Sequence, residues 1–314
     1  MKTRFIFNPH SGHNRRRPAF AQTIRDFIAR HGIEADFWIT EGPGHATALA
    51  AQAVEEGYGV VVAVGGDGTM NEVAQALIDA PTALALVPCG SGNGLALHLG
   101  VPLAAPRALS LATGLGSRIV AIDTGRANGK PFCNAMGLGL DAEVSHRFNR
   151  LTRRGLPAYA RIAVGALRSL HGETCTIVGD GHRETIDALL IAVANSDQYG
   201  NNARIAPGAR VDDGQLDLVA IRPVGLIGAV GLGARLFLGT INQSPHVRRL
   251  RGVRFQIERR AAGLIHTDGE THATGPVVLV EVNPRSLRVL LPAASPVALP
   301  VTRPLAAAPA LHSL

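Results

Sequence analysis

Apolar and polar residues alternate in two different ways along the 314-residue chain, and the change falls near Asp123. Before it, short apolar runs at residues 2–8, 60–64 and 84–87 each end in a glycine-bearing turn, with helix-like stretches at 19–31, 46–56 and 71–79 between them. Strand, loop and helix in that rotation predict a doubly wound α/β domain with a parallel sheet, whose ligands bind at the carboxyl ends of the strands. The three glycine-rich turns are therefore expected to converge. After Asp123 the pattern becomes alternating strand segments joined by hairpin signals such as RANGKP, where Asn-Gly supplies the positive φ angles of a tight turn. This predicts a β-rich, sandwich-like second domain, interrupted by helices at 156–170 and 226–238. The domains expected are 1–123 and 124–290, with about 291–314 open to rejoining the first.

Composition narrows the classes. Apolar residues make up 46% and charged residues 18%, with 36 Gly and 19 Pro, which is a folded, turn-rich composition. Cys89, Cys133 and Cys175 lie far apart without CxxC spacing, so neither a disulfide framework nor a thiolate metal site is expected, and a reducing cytoplasm fits. The N-terminal apolar run is too short for a signal peptide. The stretch 224–241 carries several glycines and Arg235, which makes it a poor membrane span and a surface or packed helix instead. Net charge is +7, and Lys2 and Lys130 are the only lysines, so arginine carries the charge. That balance suits phosphates or an anionic membrane surface contacted peripherally. Aromatics are 4% and no basic run is interleaved with them, so nucleic acid is not expected.

Candidate chemistry begins in GGDGTMNE. Thr69 and Glu72 fit a capping box, which accounts for a well-capped helix. It does not account for Gly65, Gly66 and Gly68 together, which leave bare amides that a phosphate can approach. Asp67 among them would repel phosphates unless a divalent cation lies between, so the loop reads as a magnesium-nucleotide site. A second loop, PCGSGNG, offers Gly90, Ser91, Gly92 and Asn93 after a strand, but it is neither a dinucleotide fingerprint nor a P-loop. A third, FNPHSG, places Asn8, Pro9, His10, Ser11 and Gly12 after the first strand, with Arg15 to Arg17 following. In HTDGE, Asp268 and Glu270 are two carboxylates separated by one residue, suited to cation binding and to accepting a hydroxyl proton. RVDDGQLDLV lacks the evenly spaced acids of an EF-hand. His98, His146, His171 and His266 show no paired ligand spacing, so no zinc is expected. Residues 151–170 mix five nearby arginines with Leu, Ala and Val, a composition open to either an interfacial or a solvated helix.

These loops, in this order, resemble the diacylglycerol kinase catalytic-domain family, which includes bacterial soluble lipid kinases and the sphingosine and ceramide kinases. The resemblance continues through IDTGRANG, FCNAMGLGLDAEV, IAVANSDQYG and HTDGE, to about residue 292. It implies an ATP-binding α/β domain, a β-rich lipid-binding domain and a cleft between them. It implies ATP contacts at Asn8 to Gly12, Thr40, Gly65 to Asn71 (with Met70 between) and Ser91, a magnesium-organising role for Asp67, and a general base in Asp268 or Glu270, with Asp268 ranked first. It further implies a structural magnesium on Asp213 and the backbone of Arg210 and Gln215, and a lipid head-group contact at Asp123. Gly94 after Asn93, where many relatives carry Asp, leaves the acceptor open between diacylglycerol and a sphingosine-like lipid. The expected activity is ATP- and magnesium-dependent phosphorylation of a lipid hydroxyl at the inner membrane face, in phospholipid metabolism. A NAD kinase and a non-catalytic lipid- or nucleotide-binding protein of the same fold are the alternatives, and a homodimer stays open.

Overall fold

The computed structural model describes residues 2–114, 116–149, 162, 165 and 172–295. The first half runs β1 (Thr3–Phe7), α1 (Phe20–Arg30), β2 (Ala35–Ile39), α2 (His45–Glu55), β3 (Val60–Gly65), α3 (Asp67–Leu77), β4 (Ala83–Pro88), α4 (Gly94–His98) and α5 (Ala105–Ala112). Next come β5 (Ser117–Ala127), β6 (Lys130–Phe132), β7 (Ala135–Gly139), α6 (Leu140–Asn149), β8 (Glu173–Gly179), β9 (His182–Ala188), β10 (Leu190–Ala194), β11 (Gln198–Gly200), β12 (Ala203–Arg204) and β13 (Leu216–Ile221). The chain continues through α7 (Leu226–Leu238), β14 (Val247–Gly252), β15 (Arg254–Arg259), β16 (Gly263–Thr267), β17 (Glu270–Thr274) and β18 (Val277–Pro292).

Strands β2, β1, β3 and β4 lie side by side and parallel, as the strand–helix rotation predicts. The pleat sends alternate residues to opposite layers. Val61 and Ala63 of β3 meet α2 and α3 through Leu49, Ala53 and Val73, while Val60, Val62 and Val64 meet Ile24 of α1 and Leu109 of α5. Both faces are dry, which is why β3 and β4 read as unbroken apolar runs rather than alternating ones.

The second half is a sandwich. The sheet β14-β13-β10-β7-β16-β17 packs against β15, β8, β9 and the start of β18 around Phe132, Leu138, Ile191, Leu218, Phe255 and Ile257. Its other face takes Leu232 of α7 together with Ile205 and Ile221.

One expectation about the boundary is corrected. β5 runs without a break through Asp123, so the placement of a boundary at 123 and 124 falls within a strand. The segment that rejoins the first half is the C-terminal part of β18: Leu287 to Pro292 pair with Ile122 to Ser117, and Val289 is in register with Leu84 of β4. The helix expected at 156–170 and the interfacial reading of 151–170 lie outside the described residues, apart from Ile162 and Gly165. Among the described residues no helix is long and apolar enough to cross a membrane.

Candidate active site

The three glycine-rich turns do converge, and backbone hydrogen bonds join them. Asn8 N–H donates to the Val64 carbonyl at 3.1 Å, Cys89 N–H to Gly65 O at 2.6 Å, and His13 N–H to Cys89 O at 3.0 Å. The loops lie so close that side chains would not fit. A Cβ on Gly90 would stand 2.6 Å from the Gly66 Cα, and one on Gly65 would stand 2.5 Å from the Thr69 side chain. Helix α3 starts at Asp67 behind Gly66, so its unpaired first amides and the positive end of its dipole open onto this junction.

The side chains expected to touch nucleotide divide. Asn8 donates through Nδ2 to Thr69 Oγ1 at 2.8 Å and accepts the His10 amide on Oδ1, and Ser11 Oγ donates to the Asn8 carbonyl. Asn93, at φ +52°, folds back on its own loop, accepting the Gly90 amide at 2.9 Å and donating to the Gly90 carbonyl at 3.0 Å. Thr40 is buried, with its amide on the Phe7 carbonyl. The capping box is absent. No side chain caps α3, and Glu72 instead accepts the Ala46 amide at the start of α2 at 3.2 Å, because its position on α3 faces that neighbour. Glu72 therefore joins two helices rather than reaching a nucleotide.

Asp67 accepts the Asn93 amide on Oδ2 at 2.8 Å and the Gly94 amide on Oδ1 at 2.6 Å. Burial pushes its carboxyl above the ordinary carboxylate value, against those two amides. Beside it Asn71 is buried, and its Oδ1 finds no partner among the described residues. An underneutralised carboxylate next to an orphaned oxygen acceptor is a donor set that fits a hard divalent cation.

From this junction a cavity of about 530 Å³ extends into the second half. Asp67, Asn71, Ser91 and Gly92 line one end, and Asp141, His266 and Asp268 also line it. The rest is mostly apolar, from Leu140, Val144 and Phe148 of α6, Leu190 of β10, and Leu226, Leu236 and Phe237 of α7, with Asn134, Ser145, Gln198, Tyr199 and Asn201 among them. The two halves touch at the rim, where Asn201 N–H donates to the Gly92 carbonyl at 3.0 Å and Gly200 packs on Gly92 backbone to backbone.

Asp268 and Glu270 take different positions: Asp268 lines the cavity and Glu270 does not. Asp268 and Gly269, at φ +48° and +87°, form the two-residue turn between β16 and β17. The Asp268 carboxylate accepts amides from Cys133 at 2.6 Å, Asn134 at 2.9 Å and Ala135 at 3.0 Å. Burial raises its pKa and the three amides oppose the rise. Three of its about four acceptor positions shape the 133–135 loop. Glu270 opens β17 opposite Thr267, is exposed, and its carboxylate has no hydrogen bond among the described residues; Gly269 before it lines the cavity.

Asp123 is also corrected. It is buried, its oxygens accept the Gly214 and Arg285 amides at 2.7 Å each, and it is not among the residues lining the cavity. It holds two turns in place instead of a head group. The Arg210, Asp213 and Gln215 set does not fit a structural magnesium in this arrangement. The Arg251 guanidinium is paired with Asp213, the Gln215 amide donates to Asp213 Oδ1 at 3.1 Å, and the Arg210 side chain is held by Asp212 at 2.9 Å. A cation there would face a guanidinium.

A polar cluster inside the cavity was not singled out from the sequence. Tyr199 Oη donates to Asp141 Oδ2 at 2.6 Å, and His266 Nε2 stands 3.0 Å from the same oxygen. His266 Nδ1 accepts the Gly269 amide at 3.2 Å, so in this geometry the proton sits on Nε2, toward Asp141. Burial pushes the ring's pKa down, but the charge and hydrogen bond of Asp141, helped by Asp268, outweigh it and hold the ring above the ordinary imidazole value. A Cβ at Gly137 would collide with both partners. Asp141 and Tyr199 lie within GLGLDAEV and NSDQYG, yet their pairing spans 58 residues, which no local pattern reports.

Comparison with known proteins points one way. Residues 2–127 match the diacylglycerol kinase catalytic domain, and residues 134–291 match the YegS C-terminal NAD kinase beta sandwich-like domain. A protein of Pseudomonas savastanoi pv. phaseolicola named "Probable lipid kinase YegS-like" is 32% identical over 288 residues, covering 89% of this chain and 92% of its own. One of the same name from Pseudomonas aeruginosa PAO1 is 32% identical over 270 residues, covering 84% and 87%. A crystal structure of a diacylglycerol kinase from Bacillus anthracis str. Sterne aligns over 92% of this chain and 96% of its own, with a TM-score of 0.71 at 21% identity, a likeness of fold.

Proposed function

The chain belongs to the diacylglycerol kinase catalytic-domain family and is a lipid kinase, and from that premise we propose that it transfers the γ-phosphate of ATP, with magnesium, to a hydroxyl of a membrane lipid such as diacylglycerol or a sphingosine-like lipid. The observation that carries this reading is the continuity between the junction of three glycine loops and a cavity whose remaining walls are mostly apolar. A dinucleotide acceptor would need hydrogen-bonding and cationic partners along that length, and the walls instead present Leu, Val and Phe. A lipid acceptor would be met at a membrane, which supports work at the inner membrane face, in phospholipid metabolism.

The amides at the start of α3 and those of Ser91 and Gly92 hold the triphosphate, with Ser91 at the cavity end. Asp67 and Asn71 would hold magnesium, which when bound offsets charge on the phosphates. The lipid hydroxyl oxygen bonds to the γ-phosphorus, the bond from that phosphorus to the β,γ-bridging oxygen breaks, and ADP departs. The hydroxyl proton goes to Glu270, whose carboxylate is uncommitted, while Asp268 positions the 133–135 loop.

The deciding experiment supplies labelled ATP with magnesium and a panel of diacylglycerol, monoacylglycerol, sphingosine, ceramide, total bacterial lipid and NAD. Label in a lipid extract is expected and names the acceptor class. Label on NAD alone, or ATP binding without any transfer, overturns the reading.

A further inference from the structure

Helix α7 breaks the usual rule for a surface helix, which hides one apolar stripe and shows a polar one. Its inner side faces the cavity through Ala229, Gly233 and Leu236. Its outer side is Ile227, Gly231, Ala234 and Leu238, spaced i, i+4, i+7 and i+11, so they share one face. Ile227 is 91% exposed and Leu238 73%. Between the two sides Leu226, Val230 and Phe237 both line the cavity and reach solvent, so the mouth of the cavity opens along this helix. Single exposed apolar residues are ordinary, but a contiguous stripe beside an apolar cavity is not.

We propose that α7 is the membrane-docking element, its outer stripe immersed in the acyl region of an anionic bilayer so that lipid passes along Leu226, Val230 and Phe237 into the cavity. The proposal rests on the lipid-kinase reading of that cavity. Charge supports a bilayer as the occupant. From Leu218 to Ile257 the sequence has no acidic residue, and exposed Arg222 precedes the helix while Arg235 lies in its last turn. An interfacial helix sinks about 5–10 Å, a depth that would immerse the stripe and leave flanking arginines at the phosphate level. Size argues against a second copy. Thirteen residues make a strip about 20 Å long and one helix wide, roughly 200 Å², against about 800 Å² per partner in a stable complex.

The test is flotation of the full chain with vesicles of phosphatidylcholine and phosphatidylglycerol, in the absence of ATP, for wild type and Ile227→Glu/Leu238→Glu. Neither residue lines the cavity. The double variant is expected to float at least about tenfold less while its melting temperature and monomer mass match wild type. Unchanged flotation overturns the proposal, as does a wild-type dimer that the variant dissolves with no change in flotation. If the double variant does not fold, Ile227→Trp replaces it: bromolipid quenching of the new indole is expected, and its absence is fatal. Flotation needs no turnover. Loss of flotation in an enzyme that labels no lipid would sink the kinase reading and leave the docking surface standing.

Discussion

Around the phosphates the site is made of backbone; around the acceptor it is made of side chains. Gly66 and Gly90 let two loops approach until main chain meets main chain, Gly65 leaves room for the Thr69 side chain, and the first amides of α3 open onto the junction. At the other end Asp141, Tyr199, His266 and Asp268 are carried by four separate elements or turns into a mostly apolar cavity, where Asp141 holds Tyr199 and His266 and Asp268 holds the amides of the 133–135 loop. The first end is protected by what is missing, a Cβ; the second by what is paired. Substitutions should therefore fail for different reasons at the two ends.

Asp67→Asn separates them most sharply. Removing the charge that would hold the cation should lower phosphate transfer by about 10³-fold in the labelled-ATP assay, while the new amide group set against the Asn93 or Gly94 N–H costs about 2 kcal/mol at most. It also has a pH signature. The carboxyl is raised by burial above its reference of 3.8, so its contribution to stability is full below that value and is lost as pH rises through the folded-state pKa. The variant does not titrate, so its melting temperature relative to wild type should climb between pH 4 and pH 8. A flat difference would mean the buried charge is compensated already.

Next in size, Glu270→Gln should reduce transfer by about 10²-fold or more and leave the melting temperature unchanged, since the side chain is exposed. Asp268→Asn should do the reverse in kind. It sets an amide group against one or more of three backbone N–H donors, which costs about 2 kcal/mol and lowers the melting temperature by a few degrees, with any loss of activity following the loop. If Glu270→Gln keeps wild-type turnover and Asp268→Asn abolishes it without a thermal shift, the two assignments exchange places. Smallest is Tyr199→Phe, which removes one donor to Asp141 and should cost about 1 kcal/mol, with acceptor KM raised no more than about fivefold in steady-state assays. A larger KM effect would make the Tyr199 hydroxyl a direct lipid contact.

The same contrast governs what the amino-acid sequence discloses. Glycine spacing after an apolar run is a local signal, so the convergence of Asn8–Gly12, Gly65–Asn71 and Gly90–Asn93 was legible, and so was the change to a sandwich after the first half. Side-chain partners across the fold were not. Glu72 has the spacing of a capping box and bonds to another helix; Asp123 and Asp213 look like ligands and are held by amides or by Arg251; Asp141 and His266 meet across 125 positions. A short acidic motif states that a carboxylate is present, and only tertiary structure states which donors reach it first.

Strand β18 bears on how the protein is made. It is spliced between β4 and β15, and it pairs with β5 over most of its length, so the sheet of the first half has no finished edge until the last described strand arrives. During synthesis β4 must wait for about 190 residues to emerge, roughly ten to forty seconds of translation, with its edge open to wrong partners. A fragment cut after the first half would keep every phosphate-binding loop and lack the strand that closes its own sheet.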